Sequence, residues 1–221
     1  MELVEKLKWR YATKAMNGQK VSKEKIDAII EAISLAPTSS GLQPFEVFVI
    51  TNDKVKEKIK PIAWNQSVIT DCSHLLVFAA WDTYTADRIN KMFDLTNDVR
   101  GFKNEGWENY RQILLDNYPN KDPEENFNHA SKQAYIAFTM ALTAAAFEKV
   151  DATPVEGFNP AELDKIKDGF CKGQLAATMT ASDIRGRAAE LASDDFTEQQ
   201  IFDLAGRVAV EFSTVYANIC K

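Results

Sequence analysis

Apolar and polar positions along the chain recur in two rhythms. Ile26, Ile29, Ile30 and Ile33 return at helical spacing, Ser22 ahead of Glu24 and Lys25 marks a helix start, and Pro37 marks its end. Phe45–Ile50 is a run of β-branched and aromatic residues and predicts a strand. Val55–Ile62 predicts a short helix. Leu75–Trp81 is continuously apolar, as expected of a strand covered on both faces. Asp87–Asn117 predicts one long polar helical stretch carrying aromatic residues. Pro119–Pro123 predicts a loop, and the acidic run Asp122–Glu125 a solvated one. Ser131–Lys149 predicts a helix that is apolar all round, with small alanines interleaved with Tyr135, Phe138, Met140 and Leu142. Such a helix is expected to be buried on every side, in a core or at a dimer interface. Strands alternating with helices predict an α/β or α+β fold rather than a bundle. There is no internal repeat.

Composition narrows this picture. A chain of 221 residues suits one fairly large domain, or one domain with an appended terminal element, and needs neither metal nor disulfide to fold. A net charge of −6 argues against a nucleic-acid partner and leaves room for a local basic pocket holding one phosphate. Cys72, Cys171 and Cys220 are odd in number and far apart, so no disulfide framework or zinc site is expected, and a reducing, cytoplasmic setting is. The first residues carry acids and no apolar run of signal-peptide length. The longest uncharged apolar stretch, Gln133–Phe147, falls short of the ~20 residues a membrane span needs.

The familiar catalytic motifs are missing. The chain has no GxGxxG, no GxxxxGK[ST], no GxSxG and no HExxH. Asp71-Cys72-Ser73-His74 resembles a nucleophile cluster, but it directly precedes an apolar strand, and local caps from Asp71 or Ser73 are the more ordinary reading. A chain without its own nucleophile or metal set can still catalyse if a cofactor carries the chemistry.

Four segments could hold one. In Arg10-Tyr11-Ala12-Thr13-Lys14, two cations stand close together, and the planar fork of an arginine suits a phosphate. Pro37–Pro44 sets Thr38, Ser39, Ser40 and Gly41 between two prolines, and Trp64-Asn65-Gln66-Ser67 offers two amides to a heterocycle. In Pro154-Val155-Glu156-Gly157-Phe158, Gly157 lets the backbone come close to a planar ligand. Each is also compatible with a plain solvated patch or turn.

Taken together and in this order, these segments resemble the FMN-dependent nitroreductase and NAD(P)H:flavin oxidoreductase family. Lys8–Lys14, Pro37–Pro44, Ala63–Gln66, Ser73–Phe78 and Pro154–Phe158 carry the likeness, which runs from the start to about Lys165. The resemblance implies an α+β fold, a central sheet flanked by helices, in an intertwined homodimer with FMN at the interface. It implies that Arg10 binds the FMN phosphate and that Lys14 sits near the N1 and O2 edge. The main chain of Tyr11 and Ala12 would line the pocket, and Asn65, with Gln66 beside it, would meet the pyrimidine side or ribityl chain. Pro154, Glu156 and Gly157 would lie along the ring, with a backbone N–H there approaching N5. Thr38, Ser39 and Ser40 would reach in from the partner subunit. It further implies ping-pong electron transfer from NAD(P)H to a small electron-poor acceptor such as a nitroaromatic, quinone, free flavin or pteridine. Aromatic residues between Trp107 and Phe127 would shape the acceptor pocket.

Two departures stand against a simple transfer. Val68 occupies about the place where several family members carry a lysine. Beyond about Lys167 the family pattern is a strand, a turn and a basic pair. Gln174–Ala181 can pass for the strand, and Arg185 and Arg187 are the nearest counterpart of the pair, standing earlier than the pattern places it. Residues 1–187 are thus expected to form the FMN-binding domain and 188–221 a helical C-terminal extension, in which Thr197–Gln200 fits a capping box. A non-enzymatic flavin-binding or interaction protein is the alternative from another class, and a plain domain without cofactor is a third reading.

Overall fold

The structure is a computed structural model, and it describes residues 2–170, with side chains to 166. The strand expected at Gln174–Ala181, Arg185, Arg187, the helices expected beyond 188, the boundary at 187, Cys171 and Cys220 lie outside the described residues.

Two strands, β1 (Phe45–Ile50) and β2 (Leu75–Ala80), pair antiparallel, with Phe45 opposite Ala80 and Ile50 opposite Leu75. Around them lie α1 (Glu2–Trp9), α2 (Lys23–Ser34), α3 (Asp53–Ile62), α4 (Val68–Asp71), α5 (Ala86–Arg100), α6 (Glu105–Asn117), α7 (Pro123–Phe147) and α8 (Pro160–Phe170). The antiparallel pairing makes the class α+β. No helix among the described residues is long and apolar enough to cross a membrane.

Alternation along β2 divides the core. Leu76, Phe78 and Ala80 pack on one side against Ile26, Ile29, Ile33, Phe45 and the alanines of α7. Leu75, Val77 and Ala79 pack on the other against Phe48, Val55, Ile59 and Ile69, with Val155 and Phe158 beside them. Both faces are therefore covered, as the apolar run predicted. Every residue of β2 nonetheless stays half-buried. Among the described residues the strand has a partner along one edge only. A third cluster, Leu42, Trp81, Tyr84, Ile89, Phe93 and Leu114, joins α5 and α6 to the end of β2.

Two expectations need correction. The long stretch Asp87–Asn117 is two helices. Gly101 (φ 72°) ends α5 in the left-handed region, its N–H donating to Asn97 O at 2.9 Å, and the Asn104 side chain starts α6 by accepting from Trp107 N at 3.0 Å. The acidic run is not a loop. Asp122 accepts from the N–H groups of Glu124 (2.9 Å) and Glu125 (3.3 Å), so it caps α7 and sets acids in the first turn, where the helix dipole favours them. Within a single chain α7 buries one face. Ala134, Ala137, Ala141 and Ala145 form one buried stripe, which lets α2 and β2 approach closely, whereas Tyr135 on the outer face is 54% exposed.

Candidate functional site

Three of the four segments meet at one place. The Arg10–Lys14 segment follows the end of α1 and is tied across the molecule by Thr153, whose hydroxyl donates to Thr13 O at 2.6 Å. Gln66 Nε2 donates to Gly157 O at 3.0 Å and to Ala63 O at 3.1 Å, fastening the Trp64–Ser67 turn to the Pro154–Phe158 turn. Asn159 N donates to Ile62 O at 2.9 Å, and Phe158 N to Glu156 O at 3.0 Å. The exposed strip Pro154–Glu156 is thereby held from several sides.

Trp64 and Asn65 both sit in the left-handed region (φ 53° and 57°), a conformation that asparagine tolerates and tryptophan adopts at a cost. The turn thrusts both side chains outward, and the Trp64 indole is 74% exposed. One edge of it rests on Gly157. A Cβ built there would come within 2.4 Å of Trp64 Cζ3, so the glycine is needed for the indole, its own φ being ordinary. Gly157→Ala is expected to lower stability by about 1 kcal/mol through overpacking. The loss should vanish in a Trp64→Ala background when a double-mutant cycle is followed by thermal melting. A loss that persists there would remove the indole as its cause.

Charges at this place are uncommitted. Arg10 is half-buried, and its Nε is shut off from solvent without a hydrogen-bond partner among the described residues. Lys14 is exposed and makes no ion pair among them. Tyr11 is exposed and Ala12 half-buried.

The Pro37–Pro44 segment is held elsewhere. Ser39 N donates to Gln133 Oε1 at 2.8 Å, Ser40 Oγ and Tyr110 OH share a hydrogen bond of 2.6 Å, and Gln43 N donates to Thr38 Oγ1 at 3.1 Å. Gln43 Nε2 in turn donates to Ser34 O of α2 at 2.6 Å. Ser40 and Gln43 take positive φ (58° and 41°), so the loop is a strained shape fixed by α6 and α7.

Sequence reading did not find Gln133, Thr153 or Tyr135, the last of which donates to Glu156 Oε1 at 2.5 Å, and it took in Tyr110 only as one of the aromatic residues between Trp107 and Phe127. One signal was available. Gln133 is polar in an otherwise apolar helix and 7% exposed, and a buried amide needs a partner.

The Cys72–His74 run is not an activated pair. Cys72 Sγ donates to Ile69 O at 3.3 Å, and burial pushes the thiol up, away from the reactive thiolate. Burial, with help from Lys20 and Lys56, holds His74 below its ordinary value. Ser73 makes no local cap: its hydroxyl accepts from Val21 N, ahead of α2, at 2.9 Å and bonds His74 Nδ1 at 2.9 Å. An open hollow of about 540 Å³ nearby is lined by Met16, Lys20, Asp53, Glu57 and Cys72, and by none of the candidate residues. No group of three metal-ligating side chains occurs among the described residues.

The chain is similar to known proteins over most of its length. The Staphylococcus haemolyticus protein named "Putative NAD(P)H nitroreductase SH0546" is 31% identical over 186 residues, covering 80% of this chain and 82% of that one. "Putative NAD(P)H nitroreductase YfkO" of Bacillus subtilis is 29% identical over 176 residues, 75% of this chain and 78% of its own. Among solved structures, ydfN of Bacillus subtilis superposes with a TM-score of 0.65 at 20% identity, covering 75% of this chain and 80% of that one. A "putative nitroreductase in complex with FMN" from Exiguobacterium sibiricum gives the same TM-score, 0.65, and the same coverage, 75% and 80%, at 18% identity. These two likenesses establish the fold. The chain matches the Nitroreductase family over residues 7–172, and it belongs to that family.

Proposed function

We propose that this chain is an FMN-dependent oxidoreductase. It takes electrons from NAD(P)H and passes them by a ping-pong route to small electron-poor acceptors (nitroaromatics, quinones, free flavins or pteridines). It works as a homodimer in a reducing, cytoplasmic setting. One observation carries this: a half-buried arginine and a lysine, the Nε of one and the charge of the other without partners among the described residues, stand in a segment tied by Thr153 to the strip that ends at Gly157. An anion with a flat body fits that set. The FMN of the Exiguobacterium protein and the NAD(P)H in the relatives' names point to the same ligand and donor.

Bound FMN supplies hydride chemistry that no side chain offers. Arg10 holds its phosphate, helped by Arg185 and Arg187 from outside the described residues. Lys14 faces the ring edge that gains negative charge on reduction and stabilises that charge. Tyr11 and Ala12 line the pocket with main chain, and Asn65 meets the polar edge. Gln66, its amide committed to Ala63 O and Gly157 O, acts by fixing the Pro154–Glu156–Gly157 strip. Thr38, Ser39 and Ser40, held apart by α6 and α7, enter from the partner subunit.

The test is an absorption spectrum before and after adding NAD(P)H without oxygen. Flavin bands that bleach support the enzyme. Bands that persist support a flavin-binding protein without this activity, and a colourless protein that stays colourless after soaking with FMN sinks the flavin reading. Lys14→Ala is expected to slow bleaching by about tenfold or more while weakening FMN binding much less. An unchanged stopped-flow rate would take Lys14 out of the mechanism.

A further inference from the structure

Tyr135 is placed by packing in one direction and by a hydrogen bond in the other. Its ring meets Phe138 edge-on (centroids 6.1 Å apart, planes at 80°), and Phe138 meets Phe78 of β2 edge-on (5.3 Å, 90°). The phenol, braced in this way from the sheet, donates to Glu156 Oε1 at 2.5 Å. That bond raises the Tyr135 phenol above its ordinary value, so it remains a protonated donor at neutral pH. The backbone around Glu156 does not depend on it. Phe158 N, Gln66 Nε2 and Asn159 N already fix the turn. Among the described residues, Tyr135 alone holds the Glu156 carboxylate.

We propose that Tyr135 is a positioning residue that holds the Glu156 carboxylate in a set place beside the flavin ring and so tunes the reduction potential of bound FMN. The inference rests on the flavin reading above and goes beyond it by assigning a role to a residue outside the candidate set. A carboxylate near a ring that gains negative charge on reduction opposes the change by repulsion. A phenol donating to that carboxylate draws off part of its charge density and prevents it from swinging closer.

The experiment measures the midpoint potential of FMN bound to the full chain, with FMN content determined in parallel. Tyr135→Phe should bind FMN as the wild type does, move the potential in the negative direction and slow bleaching by NAD(P)H roughly two- to fivefold. Glu156→Gln should move the potential in the positive direction. The double variant should match Glu156→Gln, since without the charge the phenol has nothing to act on. An unmoved potential in Tyr135→Phe at normal FMN content, or additive shifts in the double variant, would overturn the proposal and leave the flavin reading intact. A wild-type chain that takes up no FMN would overturn both.

Discussion

Arg10→Ala is expected to weaken FMN binding by about tenfold to a hundredfold, the range for losing hydrogen bonds to a charged group. The argument begins with how Arg10 is placed. Its N–H donates to Lys6 O at 3.2 Å, extending the last turn of α1, and the chain then runs into the Thr13 contact with Thr153. The guanidinium is thus set at the edge of the converging segments, half-buried, with Nε unpartnered among the described residues. A buried donor left unpaired is costly, and an anion that accepts from it recovers that cost on binding. Arg10→Lys keeps the charge and loses the planar fork, so it should fall between the wild type and Arg10→Ala. Fluorescence titration with FMN reads all three. If Arg10→Ala and the wild type share one Kd, the phosphate lies elsewhere, and Arg185 and Arg187 become the stronger assignment.

How much of this was legible depends on the range of the contacts. β1, β2 and α2 were visible because period and β-branching are local properties, and Phe45–Ile50 matches the observed strand. The break at Gly101 was missed because the flanking positions keep helical character, and one left-handed glycine is a small signal in sequence. The start of α7 was missed because Asp122-Pro123-Glu124-Glu125 looks solvated until Asp122 is read as a cap with proline in the first turn. The candidate segments were legible as polar islands in order. Their grouping was not, since it rests on pairs such as Gln66 with Gly157, 91 residues apart, and Thr153 with Thr13, 140 apart. Tyr135 and Tyr110 look like core aromatics in the sequence, and only the fold shows their hydroxyls turned toward Glu156 and Ser40.

Lys56→Met is expected to destabilise the chain by about 2 kcal/mol, through mechanisms that pull in opposite directions. Lys56 reads as one more charge on a lysine-rich helix, yet it is fully buried. Its Nζ donates to Cys72 O at 2.9 Å and Thr70 O at 3.3 Å, and pairs with Asp53 Oδ1 at 2.8 Å. It therefore ties α3 to the end of α4, the two elements that frame the turn carrying Trp64 and Asn65. Methionine keeps nearly the same length and removes a desolvated ammonium, which by itself would stabilise. It also leaves two carbonyls inside the protein without their donor, and each such loss costs about 1–3 kcal/mol. Asp53 is exposed and returns to water freely, so in Lys56→Met the loss of this pair adds little to the cost. The carbonyls decide the sign. For a chain of this size the melting temperature should fall by roughly 4–8 °C in Lys56→Met. A variant that melts at or above the wild-type temperature would mean that the cost of burying the ammonium exceeds what its three acceptors return.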